Sequence, residues 1–110
     1  MNELLSLAID EYSLAEHKFN YIRKSVTDFE SKLDNSNEIC LKLVSFGNLT
    51  TLDVDCIGYQ NPDMLYFEGY MNGQRAKIIQ HMSQINLLLT SVPKEIPDVP
   101  SRKIGFMTSE

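Results

Sequence analysis

Few residues in this chain combine type and spacing in a way that could do chemistry. His17 lies beside an apolar stripe, with Glu16 and Tyr21 placed to orient an imidazole. General acid–base catalysis also needs a nucleophile or a substrate proton within hydrogen-bond reach, and no sequence feature brings one there. Asp53 and Asp55, two apart, share one face of an extended segment. Two carboxylates hold a divalent cation only with further oxygen ligands and a wrapping loop, so a solvated sheet face is expected. Cys40 and Cys56 lack the spacing and the histidines of a zinc site and read as reduced thiols. Signatures of a phosphate-binding glycine loop, metalloprotease helix, serine elbow or reactive cysteine are missing. The expectation is a protein without enzymatic activity, with no catalytic residues, no metal and no cofactor.

Binding chemistry is better represented. Gln80, His81, Ser83, Gln84 and Asn86 crowd five hydrogen-bonding side chains around an expected strand-to-helix junction. A helix start offers free N–H groups for phosphate, and Gln and Asn amides can match a base edge; taken alone, the run reads sooner as capping and surface polarity. Arg75 and Lys77 alternate outward on a predicted strand, and Arg102 and Lys103 follow a proline-rich connector. These are the candidates for a local basic pocket. Tyr66, Phe67, Tyr70 and Phe106 offer aromatic faces, although such residues are commonly core. The formal charge of −5 argues against binding a nucleic-acid polymer, which needs a field of Lys and Arg.

The elements that position these residues can be read from periodicity. With 110 residues there is room for one domain and one core, residues 1–110. From Glu3 to about Asp34 there is no Gly or Pro, and Leu5, Ala8, Tyr12, Ala15, Phe19, Ile22, Val26, Phe29 and Leu33 recur every three or four residues. The spacing predicts a long amphipathic helix over 1–35, ended by the Asp34 to Asn37 cluster. At about 45 Å it would overhang strands of about 17 to 27 Å, so a bend or another copy of the chain must cover the excess.

Antiparallel strands are predicted over 38–82, joined as a meander at Phe46-Gly47-Asn48, Asn61-Pro62-Asp63 and Asn72-Gly73. Ile39, Leu41 and Leu43 face one way, and Leu52, Val54 and Cys56 point inward. Ser83 reads as the N-cap of a short helix over 83–92, with Ile85, Leu88, Leu89 and Val92 packed on the sheet. Pro93, Pro97 and Pro100 then stiffen a connector, and 93–110 ends in a segment suited to an edge strand or to docking on a neighbour. The fold class expected is α+β: a long N-terminal helix, a four-stranded antiparallel meander, a short C-terminal helix and an edge strand. The longest apolar runs are only a few residues, and the N-terminus lacks a basic stretch followed by an apolar run. Neither a membrane span nor a signal peptide is supported, and a cytoplasmic location is expected.

The run IIQHMSQINLLLTSVP, followed by a proline-bearing spacer and RKIGF, resembles a family of phage and bacterial proteins that includes the anti-Thoeris sponge proteins. The motifs cover roughly residues 65 to 107. The resemblance implies a phage-encoded, non-enzymatic sponge in the host cytoplasm. Such a protein sequesters the cyclic ADP-ribose-type nucleotide made by a bacterial TIR enzyme, and so blocks anti-phage defence. It also implies self-association from dimers into larger homo-oligomers such as a hexamer, pockets using more than one chain, and cyclic oligonucleotides bound at separate sites. On the matching positions, Arg102 and Lys103 would hold phosphate, Asn86 a base or ribose edge, and Phe67 or Tyr70 would stack, with Arg75, His81 and Gln84 as further candidates. Two other readings stay open. One is a protein–protein interaction module acting through the amphipathic helix or a sheet edge; the other is a hydrolase of the same messenger with His81 or His17 as base.

Overall fold

The computed structural model describes residues 12–45 and 50–108. Helix α1 (Leu14–Ser31) buries Ala15, Phe19, Ile22 and Val26, while Phe29 and Leu33 continue the stripe half-buried. The predicted helical positions Leu5 and Ala8 and the Phe46-Gly47-Asn48 turn lie outside the described residues. Ser13 precedes the helix without a side-chain cap. The first-turn N–H groups are instead met by a distant turn: Ala15 N–H donates to the Pro62 carbonyl at 2.8 Å and Glu16 N–H to Asn61 Oδ1 at 3.1 Å. Asn61 Nδ2 donates back to Glu16 Oε1 at 3.2 Å. One turn of the sheet thus serves as the helix cap. Beyond the helix, Asp34 Oδ1 accepts from Ser36 N–H at 3.0 Å, Ser36 Oγ at 2.9 Å and Asn37 Nδ2 at 2.9 Å. These bonds, Asn37's side chain foremost, hold the Asp34 carboxyl below the usual carboxylate range.

The sheet comprises β1 (Asn37–Ser45), β2 (Thr50–Gln60), β3 (Met64–Met71), β4 (Gln74–His81), β5 (Leu87–Pro93) and β6 (Gly105–Phe106). The order is β4-β3-β2-β1-β5, with antiparallel neighbours, and β6 runs parallel to β2 at Cys56 and Ile57. Ile39, Leu41, Leu43, Leu52, Val54, Ile57, Tyr59, Leu65, Phe67, Ile78 and Ile104 form the buried face against α1. From His81 to Leu87 the chain travels between opposite edges of the sheet. Six residue steps reach at most about 20 Å, while four inter-strand spacings alone take up about 19 Å in a flat sheet. Three of those residues, Met82–Gln84, form a 3₁₀ turn that rises only about 2 Å per residue, so the connection falls short of that width and the sheet is twisted and curled.

Three sequence expectations are corrected. The four-stranded sheet is six-stranded. The predicted C-terminal helix is strand β5, preceded by a 3₁₀ turn (Met82–Gln84) in which His81 Nδ1 accepts from Ser83 N–H at 3.2 Å. The pattern Ile85, Leu88, Leu89, Val92 suits one helix face, but a helix that short is marginal on its own. The open edge of β1 instead recruits the segment residue for residue, from Leu43↔Leu87 to Asn37↔Pro93. Finally, Cys56 does not point inward. A bulge between Val54 and Cys56 shifts the register, so Ile57 and Tyr59 take over the buried face. The last segment adds a two-residue strand whose one partner among the described residues is β2: β6 lies along β2 beyond the residues paired with β1, Ile104 is buried, and Met107 N–H donates to the Ile57 carbonyl at 2.9 Å.

Candidate functional site

The sequence candidates fall into three separate places. Tyr70 and Arg75 sit on the sheet face turned away from α1, paired directly across β3 and β4. Arg75 is committed there. Its guanidinium binds Asp55 through two bonds of 2.5 and 2.9 Å, lies 3.7 Å from Glu68 and stacks 5.1 Å from the centroid of Tyr70. The Asp55 hydrogen bonds hold Arg75 firmly protonated. Lys77 Nζ caps the Tyr66 ring at 4.3 Å, and Lys42 approaches Asp53 at 3.8 Å. Arg75 and Lys42 between them meet three carboxylates, and both aromatic faces carry a cation, so this surface is already largely satisfied internally. Cys56 lies among these groups. Burial first, then the charges of Glu68 and Asp55, push its thiol up, which leaves it a poor nucleophile.

His81 and Gln84 occupy the β4 end and the 3₁₀ turn. His81 Nδ1 lies 2.8 Å from Ser83 Oγ and Nε2 lies 3.4 Å from Asp63, contacts that serve the turn. Gln84 and Asn86 are exposed. Phe67 is fully buried beneath α1 and presents no face to a ligand.

Arg102 and Lys103 lie at the far end of β5 from Asn86, close to Glu38. Arg102 N–H donates to Glu38 Oε2 at 2.7 Å, and its Nη2 stands 3.5 Å from Glu38 Oε1. The backbone bond first, and then the guanidinium charge, hold the Glu38 carboxyl below its ordinary value of 4.5. By linkage, this contact contributes stability that is complete above pH 4.5 and disappears as pH falls through the depressed folded-state value. Glu38→Gln is expected to flatten that acid limb in thermal melts between about pH 5 and 3; an unchanged slope would show that the contact contributes nothing.

Two clefts adjoin Arg102. The smaller, about 170 Å³, is lined by Glu30, Asp34, Glu38 and Lys103 among others. Glu30 Oε2 is buried without a hydrogen-bond partner, and the three carboxylates of this small cleft outnumber its two cations, Arg102 and Lys103. The larger, about 490 Å³, is lined by Glu38, Val92, Pro93, Lys94, Glu95, Ile96, Val99 and Arg102. That volume is in the range of small-molecule sites, and its lining pairs an apolar wall with two cations, Lys94 and Arg102, and two carboxylates, Glu38 and Glu95. Lys94 Nζ donates to the Val99 carbonyl at 3.2 Å, and Val99 N–H to the Ile96 carbonyl at 3.3 Å, folding the connector into an arch over the cleft. Lys94 escaped the sequence reading because only this reversal of the chain turns it toward Arg102; the prolines flanking it at Pro93 and Pro97 were the available signal. Lys103 lines only the smaller cleft.

Among the described residues no cluster of His, Cys, Asp and Glu could hold a metal ion, and no helix is long and apolar enough to cross a membrane. Comparison with curated proteins and with solved structures gives no match. A family model matches residues 7–107, nearly the whole chain, and the protein belongs to that family, the family of unknown function DUF6173.

Proposed function

We propose that this protein binds a phosphate-bearing signalling nucleotide of the cyclic ADP-ribose type and holds it intact, so that it never reaches its effector. In a bacterium responding to phage, such sequestration would silence TIR-based defence. The observation that carries the reading is the larger cleft, in which Arg102 and Lys94 stand beside an apolar wall of Val92, Ile96 and Val99. Glu38 fixes the Arg102 backbone and touches its guanidinium loosely, which leaves most of its five N–H donors for phosphate oxygens. Lys94 adds a second cation with donors to spare beyond its bond to Val99. The motif resemblance, which includes Arg102, supports the same assignment.

The test is calorimetric titration of the purified chain with cyclic ADP-ribose isomers. Each charge-assisted bond contributes about 1.5–3 kcal/mol, so Arg102→Ala is expected to weaken binding by about 10- to 100-fold. Lys94→Ala should weaken it less, and Lys103→Ala hardly at all. No binding by the unaltered chain, or equal binding by Arg102→Ala, would overturn the assignment.

A further inference from the structure

We propose that β5 is a self-association edge, along which two copies of this chain pair antiparallel about Leu89 and join their sheets. The two-residue β6 aside, the path of the sheet ends at β4 and β5, each paired on one side among the described residues. They differ in chemistry. β4 carries the exposed cations Arg75 and Lys77, the usual protection of an edge against further pairing. From Leu87 to Pro93 there is no charged side chain, and Leu88 is half exposed.

The backbone fixes which groups are on offer. Asn86 C=O accepts from Val44 N–H at 3.0 Å and Lys94 N–H donates to Ser36 C=O at 3.0 Å, so the even-numbered residues of β5 face β1. In an antiparallel ladder the alternate residues, Leu87, Leu89 and Ser91, then turn their N–H and C=O groups to the open side. Pro93 ends that row because it has no N–H.

This row is complementary to itself. With Leu89 opposite Leu89 of the partner subunit and Leu87 opposite Ser91 of the partner subunit, about six backbone hydrogen bonds form and no donor or acceptor of the row is left over. On the helix side, Tyr21, Ile22, Ser25, Leu87 and Leu89 line an apolar cleft of about 260 Å³ that opens beside the edge, and Tyr21 is 71% exposed. Pairing brings Leu87 and Leu89 of the partner subunit to its mouth. Helix and strand layers together present roughly 27 Å by 20 Å at this edge. That projection, about 540 Å², places the pairing among the smaller, weaker interfaces rather than the roughly 800 Å² per partner of standard ones. A second copy also brings no unpaired charge against an uncharged strand. The pairing stands independently of the ligand, but its register sets Asn86 opposite Val92 of the partner subunit, a residue of the larger cleft. Within one chain, six strand residues, about 20 Å, separate those two positions.

Sedimentation velocity on the full chain at about 100 μM, a hundredfold above a micromolar Kd, is expected to give twice the 12.6 kDa chain mass. Ser91→Pro removes a donor from the open side only and is expected to give the monomer with an unchanged circular dichroism spectrum. Leu89→Lys, which sets like charges directly opposite each other at the centre of the pairing, should do the same should proline disturb the strand. A monomeric natural chain, or full dimer mass retained in both folded variants, would overturn the proposal.

Discussion

Phe19→Ala is expected to destabilise the protein by about 3–5 kcal/mol, the cost of a large side chain removed from a packed core with incomplete collapse around the cavity. Phe19 is 1% exposed. Its ring lies 4.8 Å from that of Tyr59 on β2 and 5.8 Å from that of Phe106 on β6, the latter edge-on at 78°. One side chain therefore fastens α1 to the long central strand and to the short strand that follows the Arg102 connector. Urea unfolding should show a lower midpoint with an unchanged slope, and Lys24→Ala, on the exposed face of α1, should change stability by less than about 0.5 kcal/mol. A loss below about 1 kcal/mol for Phe19→Ala would show that the helix is not held where we describe it.

Gly69→Ala is expected to cost about 3 kcal/mol or more, at the upper end for an overpacked site. A Cβ on Gly69 would stand 1.7 Å from the backbone carbonyl oxygen of Asp53, beside the bulge of β2. A backbone atom within a hydrogen-bonded ladder cannot swing aside, so either the pairing of β2 with β3 opens or the bulge moves. Gly58→Ala makes the comparison informative. A Cβ there would also collide, at 2.0 Å, but with the ring of Tyr66, which can rotate if it gives up its contact with Lys77. Gly58→Ala should cost about 1–2 kcal/mol, clearly less than Gly69→Ala. Equal losses in chemical denaturation would contradict this account of the bulge.

Much of the architecture is written locally in the sequence. The stripe from Ala15 to Leu33 marks α1, and Asn72-Gly73, with φ of 52° and 80°, closes β3 and β4 as a turn that tolerates positive φ. The bulge was not legible, because it depends on how Asp53 and Gly69 meet across two strands, and it reverses the facing of Cys56. Strand β5 was misread for a related reason. Six residues of Leu, Thr, Ser and Val ahead of Pro93 satisfy either period, and the unpaired edge of β1 decides between them. At the candidate site, Arg102 was visible as a cation after the connector. Its companion Lys94 was not, because the arch that turns it back rests on Val99 and Ile96. The separation of Arg102 from Tyr70 and Asn86 likewise follows from strand order, which single-segment patterns do not carry.

The central claim is that the protein retains a nucleotide without altering it. The most direct measurement incubates the purified protein with extract from cells whose TIR signalling has been triggered, removes free small molecules by filtration, heats the protein and identifies what is released by mass spectrometry. The account predicts an intact cyclic ADP-ribose-type nucleotide, released from the natural chain and absent from Arg102→Ala. A chemically altered product, or no nucleotide from the natural chain, would contradict it.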